Sequence, residues 1–263
     1  MITNHQIDYQ IHGEEMQYVE IELDPSETAI AESGAFMMMD DGIGMQTIFG
    51  DGSQQQQGIL GKLMSAGKRL LTGESLFMTA FTNTSPGKKK VSFASPYPGK
   101  IIALDLLRMG GKMICQKDSF LCAAKGVSVG IEFQRKLGTG LFGGEGFIMQ
   151  KLEGDGLAFV HAGGHVTERE LQPGELVKID TGCIVAFTQT VTYDIQFVGG
   201  IKNTIFGGEG LFFATLRGPG KVWIQTLPIS RLAGRILAYG SFKRKEEGSI
   251  LGGIGNALDG DGW

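Results

Sequence analysis

An internal repeat is the feature of this sequence that most constrains its fold. Residues 101–162 align without a gap on residues 165–226, at a constant offset of 64. The matches are glycines and alternating apolar residues, which are the classes that a repeated strand-and-turn unit has to keep. The identical pairs include Leu107/Leu171, Gly110/Gly174, Val127/Val191, Ile131/Ile195, Phe133/Phe197 and the block 142–146 against 206–210, which reads Phe-Gly-Gly-Glu-Gly in both. The sequence therefore predicts a duplicated fold unit.

A third copy lies upstream in two pieces. Leu23–Glu27 matches Leu171–Glu175 at a constant offset of 148, and Gly73–Phe77 matches Gly144–Ile148 in pattern. We therefore predict three tandem copies, at about residues 8–98, 99–162 and 163–230.

The three copies interlock along the chain, which favours one domain over residues 1–240. The first copy is longer than the others because it carries an insertion at about 54–72, and residues 241–263 form a glycine-rich segment that we expect to be a flexible tail.

Composition and periodicity indicate β structure. The chain has 42 glycines and only 7 prolines, as expected when many short strands are joined by tight turns. Polar and apolar residues alternate in Tyr18–Leu23, Val127–Phe133 and Thr190–Phe197, the pattern of half-buried strands. The Gly-x-Gly turns within Leu152–Val160 and Leu216–Ile224 suggest β-hairpins. We predict an all-β fold built as a sandwich, a barrel or stacked sheets.

The overall charge and the ends of the chain suggest its setting. The formal net charge of −4 does not favour a polyanion, so we do not expect nucleic acid as a partner. The N-terminal residues have no apolar signal core, and no run has the length of a membrane span. Three cysteines in apolar stretches suggest reduced, buried thiols. We therefore expect a cytoplasmic protein.

The insertion has the pattern of a short amphipathic helix, with apolar residues on one side and basic residues mostly elsewhere. Its apolar stripe could dock on a protein partner or an anionic membrane surface, or pack over an open end of its own barrel. The residues predicted for a partner or membrane surface are Ile59, Leu60, Lys62, Leu63, Lys68, Arg69 and Leu70.

Two groups of residues are candidate metal ligands. Glu74, Glu145 and Glu209 hold equivalent places in the three copies, and they could converge if the copies surround a pseudo-threefold axis. Each could instead accept backbone hydrogen bonds at its own turn or pair with Lys or Arg. His161 and His165 are separated by Ala-Gly-Gly, which could bring two imidazoles together, or could leave them as a surface or hydrogen-bonded pair.

The sequence contains no recognisable catalytic constellation. The Phe-Gly-Gly-Glu-Gly blocks lack the Gly-Lys-Ser/Thr element of a nucleotide loop and precede strands instead of helices. No Gly-x-Ser-x-Gly, His-Glu-x-x-His or Cys-x-x-Cys motif is present. We therefore expect no catalytic residues, no cofactor and no enzymatic activity.

Together, the three copies, the Leu-x-Pro-Gly/Ser-Glu turns, the Gly-Glu entry into a strand and the turn Ser95–Gly99 resemble one known family. It is the mitochondrial-biogenesis family named for altered inheritance of mitochondria, and this chain looks like a bacterial member. The resemblance implies a fold like that of the tryptophan RNA-binding attenuation protein, TRAP, with three similar β units around a pseudo-threefold axis. It also implies self-association. It implies no reaction and no catalytic residues.

The function that follows is a hypothesis with two alternatives. We expect a non-enzymatic, homo-oligomeric scaffold or binding protein that acts on a protein partner or at a membrane surface. The first alternative is a small-ligand or RNA-binding regulator of the TRAP type, although fold likeness alone does not transfer that activity. The second is a metal-dependent enzyme on a cupin-like barrel.

Overall fold

A computed structural model of the protein describes residues 4–49, 77–135, 147–197 and 212–239. Strands dominate these ranges, so the predicted all-β fold is confirmed. The described ranges contain one α-helix, α1 at 229–239, which follows the last strand and was not predicted. The predicted helical insertion at about 54–72 and the predicted tail at 241–263 lie outside the described residues.

The strands fall into a first strand and three successive sets of six, which we call units 1, 2 and 3. The first strand is β1 (Asp8–His12). Unit 1 contains β2 (Tyr18–Leu23), β3 (Thr28–Glu32), β4 (Phe36–Met39), β5 (Ile43–Phe49), β6 (Phe77–Asn83) and β7 (Lys89–Ala94). Unit 2 contains β8 (Gly99–Asp105), β9 (Lys112–Gln116), β10 (Phe120–Ala124), β11 (Ser128–Arg135), β12 (Phe147–Glu153) and β13 (Leu157–Gly163). Unit 3 contains β14 (Val166–Leu171), β15 (Leu176–Asp180), β16 (Ile184–Thr188), β17 (Thr192–Phe197), β18 (Phe212–Arg217) and β19 (Gly220–Gln225).

Strand bounds recur along the chain: β15 and β16 begin and end 64 residues after β9 and β10. The pseudo-threefold arrangement of the units in space stays a prediction.

The turn between the first two strands of a unit explains one repeated motif. Ser26 and Gly174 occupy the same turn position with φ of 71° and 79°, a left-handed conformation that glycine adopts readily. One residue later, the carboxylate of Glu27 accepts a hydrogen bond from the Asp24 N–H at 2.8 Å. Glu175 accepts the equivalent bond from its own turn. The Leu-x-Pro-Gly/Ser-Glu motif therefore stabilises a turn.

Each unit splits between two sheets. Four sheets are described, with strand orders β1-β2-β7-β4, β5-β6-β3-β10-β13-β8, β11-β12-β9-β16-β19-β14 and β15-β18-β17. Within a unit, the first, sixth and third strands are neighbours in one sheet, and the second, fifth and fourth are neighbours in another.

The Gly-x-Gly turns do not form the β-hairpins that the sequence suggested. β12 and β13, which flank Gly154 and Gly156, belong to different sheets, and the same is true of β18 and β19. These turns carry the chain from one layer to the other. Gly154 and Gly220 have φ of 147° and 144°, which L side chains rarely adopt. The hairpin prediction was wrong because a tight turn can connect layers as well as neighbouring strands.

The units are joined by shared strand pairs, which we call seams. The third strand of unit 2, β10, pairs antiparallel with β3 of unit 1, and the third strand of unit 3, β16, pairs antiparallel with β9 of unit 2. Three apolar clusters lie between the sheets, and one cluster contains residues from all three units, including Ile30, Val160 and Trp223. The seams therefore connect neighbouring cores through continuous sheets.

Candidate functional site

One exposed apolar surface of the described chain is the edge strand β4, which reads Phe-Met-Met-Met. Its four side chains are between 38% and 48% exposed. The corresponding strands β10 and β16 are buried along nearly their whole length. In the described ranges, β4 pairs only with β7, so its other edge carries no strand. An apolar strand with an open edge is a candidate interaction site.

β4 is held firmly in place despite its exposure. The Phe36 ring stacks on the buried Phe81 ring at a centroid distance of 5.4 Å. At the other end, the carboxylate of Asp40 accepts a hydrogen bond from the Lys90 backbone N–H at 2.9 Å, and the Asp40 N–H donates to the Lys90 carbonyl at 2.9 Å. These contacts order the strand before any partner binds, which lowers the entropic cost of pairing.

Another edge strand, β15, lies in the last of the described sheets. β15 pairs with β18 along its whole length and ends its sheet, so its other edge carries no strand in the described ranges. Its residues differ in exposure, since Leu176 and Lys178 are exposed while Ile179 is buried in the core of unit 3. Arg231 of α1 contacts the Asp180 carboxylate at 3.3 Å and attaches the helix to the end of this strand.

Two buried polar side chains, His161 and Gln225, form hydrogen bonds where consecutive units meet. The His161 Nε2 is 3.1 Å from the Tyr97 carbonyl oxygen, and the two rings meet edge-on at 4.3 Å. Because a carbonyl only accepts, Nε2 carries the proton. Burial lowers the pKa of His161 to about 4. Gln225 accepts from the Gly163 N–H at 2.7 Å and donates to the Gly182 carbonyl at 2.9 Å.

The predicted metal ligands are placed as follows. His161 is buried, whereas His165 is exposed and its backbone N–H donates to the Thr226 hydroxyl. Nearby Glu168 accepts hydrogen bonds from Lys221 and from the Trp223 indole. No group of three His, Cys, Asp or Glu side chains suited to a metal ion occurs in the described ranges.

Other predicted site residues cannot be placed. Glu74, Glu145 and Glu209 lie outside the described residues, as do the seven insertion residues predicted for a partner or membrane surface. Their roles stay predictions.

Glu32 is a titratable group that no sequence pattern singled out. It ends β3 at the first seam, close to Asp118 and Lys117 in the turn that precedes β10. Burial, helped by the Asp118 carboxylate and opposed by Lys117, raises the pKa of Glu32 to about 7. Gln116 ends β9 at the corresponding place. The sequence alone does not identify this carboxyl as unusual, because its burial depends on the seam between β3 and β10.

One surface trough could hold a small molecule. Its volume is about 410 Å³, and it is lined by Phe133, Gln134, Tyr193, Asp194 and Ile195. Burial raises the pKa of Tyr193 to about 12, so its hydroxyl is protonated at neutral pH. Among the helices of the described ranges, none is long and apolar enough to cross a membrane.

Comparisons with known proteins agree with the resemblance seen in the sequence. The family model described as mitochondrial biogenesis AIM24 matches residues 9–227. An uncharacterized protein of Streptococcus pyogenes serotype M6 is 32% identical over 225 residues, which cover 84% of this chain and 86% of that protein. The X-ray crystal structure of a Streptococcus pyogenes protein superposes with a TM-score of 0.69 at 26% identity, over 89% of this chain and 100% of that chain.

Proposed function

The chain belongs to the mitochondrial biogenesis AIM24 family, and on this premise we propose that it is a non-enzymatic scaffold or binding protein that works by self-association. One observation carries the proposal: β4 presents four large apolar side chains on a strand whose outer edge has no strand beside it in the described ranges.

Open strand edges are commonly protected by Lys, Pro or a covering segment, because unpaired N–H and C=O groups attract other strands. β4 has neither Lys nor Pro, and its three thioether side chains are flexible enough to adapt to a partner surface. An apolar edge of this kind is better explained by binding than by solvent exposure.

Native mass spectrometry of protein purified without chelators tests the proposal. We expect complexes of more than one subunit without a stoichiometric metal or small molecule. A monomer that retains nothing would overturn self-association, and a stoichiometric metal or small ligand would favour one of the two alternative functions.

A broad substrate screen tests the non-enzymatic part. Reproducible turnover that is lost in a Tyr193→Phe variant of the trough would overturn it. The wild type and the Tyr193→Phe variant are purified in the same way. A contaminating activity would persist in the variant and would thereby be recognised.

A further inference from the structure

The two internal seams obey one rule. In each, the third strand of a unit pairs with the second strand of the preceding unit. The registers also correspond, because Ala123 lies opposite Ile30 in the first seam and Phe187 lies opposite Ile114 in the second. Phe187 follows Ala123 by 64 residues, and Ile114 follows Ile30 by 84 residues. The same two separations relate the bounds of β16 to those of β10 and the bounds of β9 to those of β3.

In the described ranges, one third strand and one second strand have no seam partner. β4 is the third strand of unit 1, and β15 is the second strand of unit 3. All third strands also carry the same irregularity, which matters because a bulge determines where a strand can pair. The register shifts lie at Phe120/Cys122 in β10, Ile184/Ala186 in β16 and Phe36/Met38 in β4. β4 therefore has the backbone form of a seam strand.

From this correspondence we propose that β4 of one copy of the chain pairs antiparallel with β15 of a second copy, with Met38 opposite Ile179 and Met39 opposite Lys178. The inference rests on the proposed self-association and specifies its interface. The pairing joins the four-stranded sheet of one copy to the three-stranded sheet of the next. Met38 then extends the core that contains Ile179.

Charge makes this seam different from the internal ones. Lys178 takes the place of Ile30 and Ile114, which are both buried in their seams. The residues after Met39 are Asp40 and Asp41, so the strand end beside the ammonium group carries two carboxylates. Lys178 in the middle of β15 weakens apolar pairing. It also favours the acidic end of β4 over the edges of unrelated strands. The assembly is therefore reversible, unlike the seams within the chain.

Sedimentation velocity on the full chain tests the edge. Met38→Lys should weaken self-association by at least about tenfold, because the new charge enters an apolar contact. Met45→Lys is the matched control, since Met45 is also an exposed methionine but lies on β5, which belongs to a different sheet from β4. It should associate like the wild type, and Lys178→Ile should associate more strongly. If wild-type complexes persist unchanged in Met38→Lys, this interface is wrong while the proposed self-association stands.

Disulfide trapping tests the register and distinguishes pairing between copies from closure within one chain. In a Cys183→Ser background, a Met38→Cys protein is mixed with an Ile179→Cys protein. We expect a cross-linked pair of chains from the mixture, and none when Met45→Cys replaces Met38→Cys. The exposed pair Met39→Cys and Lys178→Cys repeats the test without altering the core.

The double variant Met38→Cys/Ile179→Cys completes the design. We expect it to give chains cross-linked in series. A cross-linked monomer from the double variant, with nothing from the mixture of single variants, would show that β4 and β15 close within one chain and would overturn the proposal.

Discussion

The His161 imidazole donates from Nε2 to the Tyr97 carbonyl oxygen at 3.1 Å while its ring lies edge-on against the Tyr97 ring. The contact connects the last strand of unit 2 to the turn that leads into that unit. No hydrogen-bond partner of the His161 Nδ1 occurs among the described residues. The neutral imidazole is therefore part of the fold.

His161 should make the protein less stable in acid. Its pKa is about 4 when folded and 6.5 when unfolded, so the unfolded chain binds the proton first. The stability that goes with a neutral His161 is fully present above pH 6.5. As the pH falls through 4, the free energy of unfolding decreases by up to about 3 kcal/mol. Urea unfolding at pH 7 and pH 4.5 should show a smaller acid loss in His161→Gln than in the wild type. Exposed His165→Gln is the control and should retain the wild-type loss.

Glu32 should act in the opposite direction. Its folded pKa of about 7 exceeds the ordinary 4.5, so the folded chain binds the proton more strongly. The stabilisation is fully present below pH 4.5 and is lost as the pH rises through 7. The free energy of unfolding of Glu32→Gln should therefore exceed that of the wild type by on the order of 1–3 kcal/mol at pH 8, and by little at pH 4. Gln116 at the corresponding end of β9 suggests that the amide fits.

Thermal unfolding of Glu32→Gln and of the exposed control Glu170→Gln at both pH values checks this. A gain at pH 8 in both variants, or in neither, would contradict a specific role of the seam carboxyl.

Gly163 should not tolerate a side chain. A Cβ atom there would overlap the Leu227 carbonyl oxygen and approach the Tyr97 ring. The Gly163 N–H donates to the Gln225 side chain and the Gly163 carbonyl accepts from the Leu227 N–H, so the backbone cannot easily move away. Gly163→Ala should lower the free energy of unfolding by about 1–3 kcal/mol. Gly87→Ala meets open space and should change it little. Equal effects in chemical denaturation would refute the steric account.

Asn83 should be needed as an amide. Its side-chain N–H₂ donates to the Leu23 and Gly87 carbonyls at 2.9 and 2.8 Å, and its side-chain oxygen accepts from the Ser85 N–H. Asn83→Asp replaces both donors by a carboxylate that faces two carbonyls. We expect a loss on the order of 3 kcal/mol in thermal unfolding. Ser85→Ala keeps the backbone bond and should be nearly neutral, and a neutral Asn83→Asp would contradict this network.

The sequence predicts much of the fold because local patterns determine strands and turns. Alternation in Thr190–Phe197 identifies β17, and the turn motif around Gly174 identifies the corner after β14. Local patterns do not say which strand pairs with which. The Gly-x-Gly turns therefore suggested hairpins where the chain changes layers.

The candidate site was harder to predict for the same reason. The run Phe36–Met39 has the apolar composition of a strand that is buried on both faces, as Cys183–Phe187 largely is. Only the sheet order reveals that one edge of β4 is open. The raised pKa of Glu32 likewise depends on a partner strand about 90 residues away in the chain, and no local pattern contains that information.

The seams also have a consequence for motion. In the described ranges, unit 2 shares a strand pair with a neighbour on each side, whereas units 1 and 3 each share one. Each shared strand pair has to break before a unit opens, so the free energy of local opening rises with the number of shared pairs. Amide hydrogens of β10 and β13 should therefore exchange with solvent more slowly than those of β1 or β17. Transient opening should begin in units 1 and 3 and reach unit 2 only when the whole domain unfolds.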